Sequence, residues 1–227
     1  MNTDALMLFF RYPTYGRVKT RIAAELGNDI TLGLYEAFIR DLLSLSGSVR
    51  ADTMIAVDRP DEAAGHPSIS AMGCPVIGQR GGDIGVRMHT AMVDAFNSGY
   101  ERVVLVGSDV PDLPPGIIND AFDLLRTVDA VLGPSNDGGY YLVGFNRGAC
   151  DEAYFTGITW GSRTVCRSTV DKINSSGKIL RLMPAWNDID DRGGLKRFFD
   201  EKNRRGDLST HTMQYLVHNI EDKRVLF

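Results

Sequence analysis

The chain has 227 residues, of which 43% are hydrophobic and 24% charged, and its formal net charge is −4. This composition is typical of a core-forming globular protein and excludes a disordered or fibrous chain. The net negative charge argues against a general nucleic-acid-binding protein, because such proteins carry a broad basic surface. No apolar run reaches the 18 residues of a membrane-spanning helix, so neither nucleic acid nor a membrane is an expected partner.

The strands and helices alternate along the chain. Strands are predicted at the apolar runs 5–10, 53–58, 102–109, 129–134 and 178–183. Helical spacing of apolar residues is found in "ITLGLYEAFIRDLLSLSG", "DIGVRMHTAMVDAF" and "PGIINDAFDLLRT". A further strand, "GGYYLVGF", need not be parallel, and two helices are predicted near 191–204 and 209–219. The alternation predicts an α/β fold in one domain, 1–227, with a mainly parallel sheet covered on both faces.

The first predicted strand is followed by "RYPTYGRVKTR", residues 11–21, which holds four cations and no acid. Ligands of open parallel sheets bind beyond the carboxyl ends of the strands. A helix that begins near Val18 would place Lys19 and Arg21 in its first turn, where the helix dipole disfavours cations. A bound anion would reverse that penalty. We therefore expect a phosphate site rather than a solvated basic loop, formed by Arg11, Gly16, Arg17, Lys19 and Arg21.

Two acidic segments are candidate metal sites. "GSDVPDL" places Asp109 at the end of the most apolar strand, and "WNDIDDRGGL" holds Asp188, Asp190 and Asp191 within four residues. Mg²⁺ and Mn²⁺ prefer a couple of carboxylates and otherwise bind phosphate oxygens and water. Asp109, Asp188 and Asp190 are therefore candidate ligands, although Asp190 or Asp191 could instead cap the helix that follows.

Two glycine-rich segments complete the candidate site. In "GPSNDGGYYLVGF", Asp137, Gly138 and Gly139 would allow a close backbone approach to a ligand, although Asp-Gly alone also predicts a hairpin turn. In "GQRGGDIGVRM", Asp83 is expected to cap a helix and Gln79 could read the edge of a base or sugar. Neither GxxxxGK[ST] nor GxGxxG occurs, which argues against P-loop NTPase and dinucleotide folds.

Cysteine and histidine patterns add no metal or disulfide site. Cys74, Cys150 and Cys166 lie far apart and form no CxxC pair, and the four histidines form no HExxH motif. The apolar run 5–10 is too short for a signal peptide and follows an acidic residue. We therefore expect reduced, idle thiols in a cytoplasmic protein.

Taken in order, the four segments resemble the nucleotide-diphospho-sugar transferase superfamily, and most closely a bacterial branch labelled glycosyltransferase. That branch carries P-x-x-G-x-V-K-T-R-L, G-x-D-x-P-x-L, G-P-x-x-D-G-G-Y-Y-L and a late D-x-D-T-P-x-D-L. The chain matches it at Pro13, Gly16, Val18, Lys19, Thr20, Arg21, Gly107, Asp109, Pro111, Leu113, Gly133, Pro134, Asp137, Gly138, Gly139, Tyr140, Tyr141 and Leu142. It departs from the late motif, which keeps Asp188 and Asp190 but loses Thr-Pro and the final acid.

The resemblance implies a GT-A fold, a Rossmann-like three-layer sandwich with a mainly parallel, partly mixed sheet. It also implies a transferase that uses Mg²⁺ or Mn²⁺, an activated nucleotide donor and a small-molecule acceptor. The roles that follow are catalysis by Lys19 and Asp109, nucleotide binding that extends to Gln79 and Asp83, and substrate binding by Asp137, Gly138, Gly139 and Tyr140.

The reaction itself stays open at this point. The label of the branch favours glycosyl transfer from a nucleotide sugar. The cationic loop favours a triphosphate, and hence nucleotidyl transfer from an NTP to a small phosphorylated acceptor with release of pyrophosphate. The altered late motif also permits a non-catalytic nucleotide-binding protein. The base, the sugar, the acceptor and the oligomeric state are not determined by the sequence.

Overall fold

The computed structural model describes residues 2–219 and places a mixed β-sheet at the centre of the fold. The strands of this described part are β1 Asp4–Phe10, β2 Asp52–Val57, β3 Val76–Gly78, β4 Arg102–Gly107, β5 Ala130–Pro134, β6 Tyr140–Asn146 and β7 Leu180–Leu182. They lie in the order β3-β2-β1-β4-β6-β5-β7. Strand β6 is antiparallel to its neighbours β4 and β5, whereas the other adjacent strands are parallel.

Helices cover both faces of the sheet. They are α1 Thr20–Leu26, α2 Asn28–Ser46, α3 Pro60–Ala64, α4 Pro67–Ser70, α5 Ile84–Asn97, α6 Pro115–Leu124, α7 Val165–Ser175, α8 Arg192–Arg205 and α9 His211–Asn219, with a short 3-10 turn at Glu152–Tyr154. Within residues 2–219, no helix is long and apolar enough to cross a membrane.

Strand β1 shows why the sheet needs a layer on each face. All seven of its residues are buried. Leu6 and Leu8 enter the core beneath α2, α6, α8 and α9, whereas Ala5, Met7 and Phe9 enter the core beneath α5 and α7. Successive side chains of a strand point to opposite faces, so a strand covered on both sides reads as a continuous apolar run. The predicted three-layer α/β architecture is confirmed.

The differences from the sequence prediction lie in short or polar elements. Strand β3 has only three residues, and α7 buries only a few side chains along one edge, so neither carries a strong apolar pattern. Helix α1 begins at Thr20 rather than near Val18, because Lys19 leaves helical geometry with a φ of 45°. The predicted caps of α5 and α8 are confirmed: Asp83 accepts a hydrogen bond from Val86 N, and Asp191 accepts one from Gly194 N.

One edge of the sheet gathers the loops that carry the candidate site. Strands β1 and β4 are parallel neighbours, so Arg11 and Ser108 leave the sheet side by side. Strand β6 is antiparallel to both β4 and β5, so β5 runs in the same direction as β4 and ends at the same edge. Ser135 and Tyr140 therefore face the cationic loop across the carboxyl ends of the strands.

Helix α2, which packs beside this edge, is tied to α9 by one buried carboxylate. Asp41 accepts hydrogen bonds from His211 N at 2.6 Å, from Thr212 N at 2.9 Å and from Thr212 Oγ1 at 2.6 Å. Asp41 thus caps the start of α9 from a different helix.

We expect Asp41→Ala to lower the free energy of unfolding by about 2–3 kcal/mol, because it removes a charged cap and leaves buried donors unpaired. Urea unfolding measures the change. The neighbouring Arg40 is exposed, so Arg40→Ala should stay within about 0.5 kcal/mol of the parent. Equal effects of the two variants would contradict the role given to Asp41.

Candidate active site

A cavity of about 790 Å³ opens at the carboxyl edge of the sheet. Its lining comes from the loop after β1, the start of α5, the loop after β4, the loop between β5 and β6, residues 160–162 and the segment 188–190. The predicted site residues in this lining are Arg11, Arg17, Lys19, Arg21, Gln79, Asp83, Asp109, Asp137, Gly139, Tyr140, Asp188 and Asp190. The structure thus brings nearly all of them together, although they span 180 positions of the chain.

The two predicted glycines outside the lining shape the loops. Gly16 has a φ of 69° in the turn before α1. Gly138 has a φ of 97°, and a Cβ there would lie 2.2 Å from the carbonyl oxygen of Arg163. That contact packs the β5–β6 loop against residues 161–164, where only glycine fits.

Lys19 is the centre of the site. It is the one non-glycine residue with a positive φ among residues 2–219, and its side chain is 4% exposed. Its ammonium lies 2.8 Å from Asp109 Oδ1, 3.5 Å from Asp190 Oδ1 and 2.6 Å from the carbonyl oxygen of Ile189. Strained backbone of this kind persists where surrounding contacts fix it, and it is common at functional sites. Lys19 joins three loops through its charge.

The four cations of the loop after β1 fall into two pairs. Lys19 and Arg21 are engaged by acids, since Arg21 also lies 2.8 Å from Asp190 Oδ2. Arg11 and Arg17 are exposed and line the cavity, and no carboxylate of the described chain pairs with either. Two guanidinium groups are therefore available to an anion.

A tyrosine that the sequence analysis does not single out holds this loop in place. The buried hydroxyl of Tyr35, on α2, accepts a hydrogen bond from Arg11 N and lies 3.2 Å from Ser108 Oγ. Burial raises its pKa above the ordinary range, with a further rise from the negative charge of Asp109. In the sequence, Tyr35 is one more apolar position of an amphipathic helix, so no signal marked it.

Gln79 and Asp83 both line the cavity, but their hydrogen bonds are structural. The Gln79 amide nitrogen donates to the carbonyl oxygens of Phe10 and Ala56, at the ends of β1 and β2. Asp83 caps α5. Because the amide nitrogen of Gln79 is already engaged, Gln79 could bind a base or ribose only through its amide oxygen.

The carboxylates beyond Lys19 have the chemistry of a divalent cation site. Asp188 is half-buried, and its pKa is raised to about 6 by burial and then by the charges of Asp137 and Asp109. Asp109 uses Oδ1 for Lys19 and for the hydroxyl of Ser108. Oxygen donors that repel one another in this way suit Mg²⁺ or Mn²⁺. As placed, no group of three His, Cys, Asp or Glu side chains in residues 2–219 converges closely enough to enclose a metal.

The lining of the cavity also contains an indole ring that the sequence analysis does not select. Trp160 stands edge-on to Tyr140, with ring centroids 6.3 Å apart, and packs against Gly85 at the start of α5. A Cβ at Gly85 would lie 2.4 Å from the ring. The available signal was that Trp160 is one of only two tryptophans in the chain.

Comparisons with known proteins identify the family of the chain. A family model described as "Uncharacterized protein conserved in bacteria (DUF2064)" matches residues 42–162. The structure of a proposed nucleotide-diphospho-sugar transferase from Desulfovibrio desulfuricans G20 is 33% identical, with a TM-score of 0.90 over 100% of this chain and 97% of that one. No curated protein matches the chain significantly.

More distant structures share the fold. CMP:2-keto-3-deoxy-manno-octonic acid synthetase in complex with CTP is 12% identical, with a TM-score of 0.53 over 89% of this chain and 99% of that one. A Mycobacterium tuberculosis H37Rv protein in complex with manganese is 13% identical, with a TM-score of 0.51 over 88% of this chain and 100% of that one. From the family model and the 33% identical structure, the chain belongs to the DUF2064 family and to the nucleotide-diphospho-sugar transferase superfamily. It is a transferase.

Proposed function

We propose that the protein is a metal-dependent glycosyltransferase that takes its sugar from a nucleotide-diphospho-sugar. One observation carries this proposal: the lining of one cavity holds two arginines without an acidic partner, Arg11 and Arg17, together with the carboxylates of Asp109 and Asp188. Cations for phosphates and acids for a metal are the two parts that an activated nucleotide needs.

The arginines would hold the diphosphate of the donor. A guanidinium group offers several N–H donors in a planar fork that matches phosphate oxygens. Each charge-assisted contact of this kind contributes about 1.5–3 kcal/mol. Arg11 and Arg17 are exposed before any ligand binds, so neither has to break an ion pair first.

Asp109 and Asp188 would hold Mg²⁺ or Mn²⁺, with Asp190 as a further ligand once Lys19 or Arg21 releases it. The bound metal would neutralise charge on the departing diphosphate. Lys19 and Arg21 keep Asp190 and Asp109 oriented toward the cavity. The proposed catalytic roles of Lys19 and Asp109 are therefore to position and neutralise, without a covalent intermediate.

The proposed reaction transfers the sugar from the nucleoside diphosphate to the acceptor. The bond between the anomeric carbon of the sugar and the diphosphate oxygen breaks, and an acceptor hydroxyl oxygen forms the new bond. The nucleoside diphosphate leaves with the electron pair of the broken bond, and the acceptor hydroxyl releases its proton. Asp137, Gly138, Gly139 and Tyr140 lie on the side where we place the acceptor.

Nucleotidyl transfer from an NTP is the second candidate, and the fold of the CTP-bound synthetase supports it. The pairing of Lys19 and Arg21 with acids weighs against it, because only two loop cations stay free for three phosphates. We expect NDP release from a panel of nucleotide sugars and no pyrophosphate release from the four NTPs, each tested with the same set of hydroxylated acceptors. Turnover with NTPs alone would overturn the glycosyl assignment.

Metal dependence can be tested through binding. Asp109→Asn and Asp188→Asn should each lower the affinity for a nucleoside diphosphate in Mn²⁺ by at least about tenfold, which is about 1.4 kcal/mol. Isothermal titration with UDP, ADP, GDP and CDP, with and without Mn²⁺, measures the effect. Asp120→Asn, which removes the same charge from an exposed position on α6, should change nothing. An unchanged Mn²⁺ dependence in Asp109→Asn would remove Asp109 from the metal site.

The two kinds of loop cation predict opposite mutant behaviour. Arg17→Ala should leave the free energy of unfolding within about 0.5 kcal/mol and weaken NDP binding by about tenfold or more. Lys19→Met should lower the free energy of unfolding by about 1–2 kcal/mol, because Asp109 and Asp190 then face each other without the buried ammonium. The helix-dipole penalty expected from the sequence is smaller than this loss.

Urea unfolding and nucleotide titration of both variants, at one salt concentration, check the pair. Loss of stability in Arg17→Ala, or its absence in Lys19→Met, would contradict the division of the loop into free and engaged cations.

A further inference from the structure

The lysines and arginines that line the cavity all come from one part of the chain. The lysine and arginine residues of the described lining all come from residues 11–87: Arg11, Arg17, Lys19, Arg21 and Arg87. The lining after residue 100 contains four aspartates and no lysine or arginine. We call the part of this lining formed by Asp137, Tyr140, Trp160, Ser162 and Asp188 the acidic wall.

The acidic wall is built into the fold. The Asp137 carboxylate is fixed by its own turn, because Oδ1 accepts a hydrogen bond from Gly139 N at 2.8 Å. Behind that turn, Cys166 N donates to the carbonyl oxygen of Gly138 at 2.9 Å. Asp188 is near enough to Asp137 to feel its charge. The turn therefore holds the Asp137 carboxylate on this wall independently of what the cationic loop binds.

The cations around this wall already have partners or lie outside the lining. Lys19 is near enough to Asp188 to act on its charge, but its ammonium is held by two other carboxylates. The backbone of Arg163 packs on Gly138, but its side chain is exposed and is not part of the cavity lining. Arg87 donates through Nε to the carbonyl oxygen of Gly81, in the loop that precedes α5. Without a bound metal, a phosphate group placed against Asp137 and Asp188 would meet like charge, and the wall itself holds no lysine or arginine to offset it.

The remaining groups of the wall suit an uncharged ring. Trp160 offers an aromatic surface whose position is set by Gly85 and Tyr140. Its buried Nε1 has no hydrogen-bond partner in the structure, and Ser162 adds a hydroxyl. Carbon-bound hydrogens of a sugar ring pack well on an indole, while sugar hydroxyls donate to carboxylates.

We infer that the acidic wall binds the acceptor, and that this acceptor is an uncharged, hydroxylated ring compound rather than a phosphorylated one. The assignment rests on the proposed function, since it takes the arginine side as the place of the donor diphosphate. It excludes anionic acceptors through repulsion and unmatched desolvation rather than through shape.

The experiment uses Trp160 as its own reporter. Trp186→Phe leaves Trp160 as the single tryptophan of the chain, so its fluorescence reports binding at the wall. The probes are matched pairs: glucose with glucose 6-phosphate, and ribose with ribose 5-phosphate. Each is titrated at constant ionic strength, with and without UDP, ADP, GDP or CDP and Mn²⁺. The titration without nucleotide separates this inference from the proposed function, which the nucleotide arm tests.

We expect at least one uncharged sugar to bind at least about tenfold more tightly than its phosphate ester. In Asp137→Asn, which keeps the Oδ1 acceptor of the turn, this preference should shrink about threefold or more. Asp120→Asn, an equal change of net charge outside the cavity, should leave it unaltered. Trp160→Phe should weaken the binding of the sugar and of its phosphate ester to the same extent, as measured by calorimetry.

Three results would overturn the inference. They are binding of a phosphate ester as tight as that of its sugar, a preference that Asp137→Asn leaves unchanged, and failure of both uncharged sugars to bind. If no nucleotide binds while the sugars show the expected preference, the assignment of the donor to the arginine side is wrong, and the assignment of the acceptor to the acidic wall is retained.

Discussion

The ammonium of Lys19, held between Asp109 and Asp190, is the interaction on which the site depends. It connects the loop after β1, the loop after β4 and the segment before α8, which meet at the same edge of the sheet. Burying a lysine is costly unless its charge is matched, and here two carboxylates and a carbonyl oxygen match it. The positive φ of Lys19 is maintained by those contacts, so the bend of the backbone and the ion pairs stabilise each other.

This arrangement decides which charges remain for ligands. Because Lys19 and Arg21 engage Asp109 and Asp190, Asp137 and Asp188 are the aspartates of the described lining after residue 100 that form no ion pair. The pKa of Asp188 is raised by burial and then by the charges of Asp137 and Asp109. Because Lys19 and Arg21 are engaged, Arg11 and Arg17 are the loop cations open to an anion. The lining of the cavity thus offers two unpaired arginines and two unpaired aspartates before any ligand enters.

The sequence was sufficient to predict which segments converge at the cavity, but not how their charged side chains pair. Parallel strands end at one edge, so the cationic loop and Asp109 could be placed together from apolar runs alone. The contact between Lys19 and Asp190 joins residues 171 positions apart, and no local pattern predicts it. Tyr35 and Trp160 were missed for a similar reason: each reads as an ordinary apolar residue until the fold brings its ring or hydroxyl to the cavity.

Charges distributed in this way would orient both substrates of the proposed transfer reaction. A donor diphosphate bound at Arg11 and Arg17, as proposed, would turn the group it carries toward the aspartates. An acceptor hydroxyl held by Asp137 or Asp188, as inferred above, would then meet that group. The metal proposed at Asp109 and Asp188 would lie at the boundary, where the leaving group develops its charge. Lys19 holds the two groups of charges together at this point, because it is part of the cationic loop and its ammonium contacts the acids.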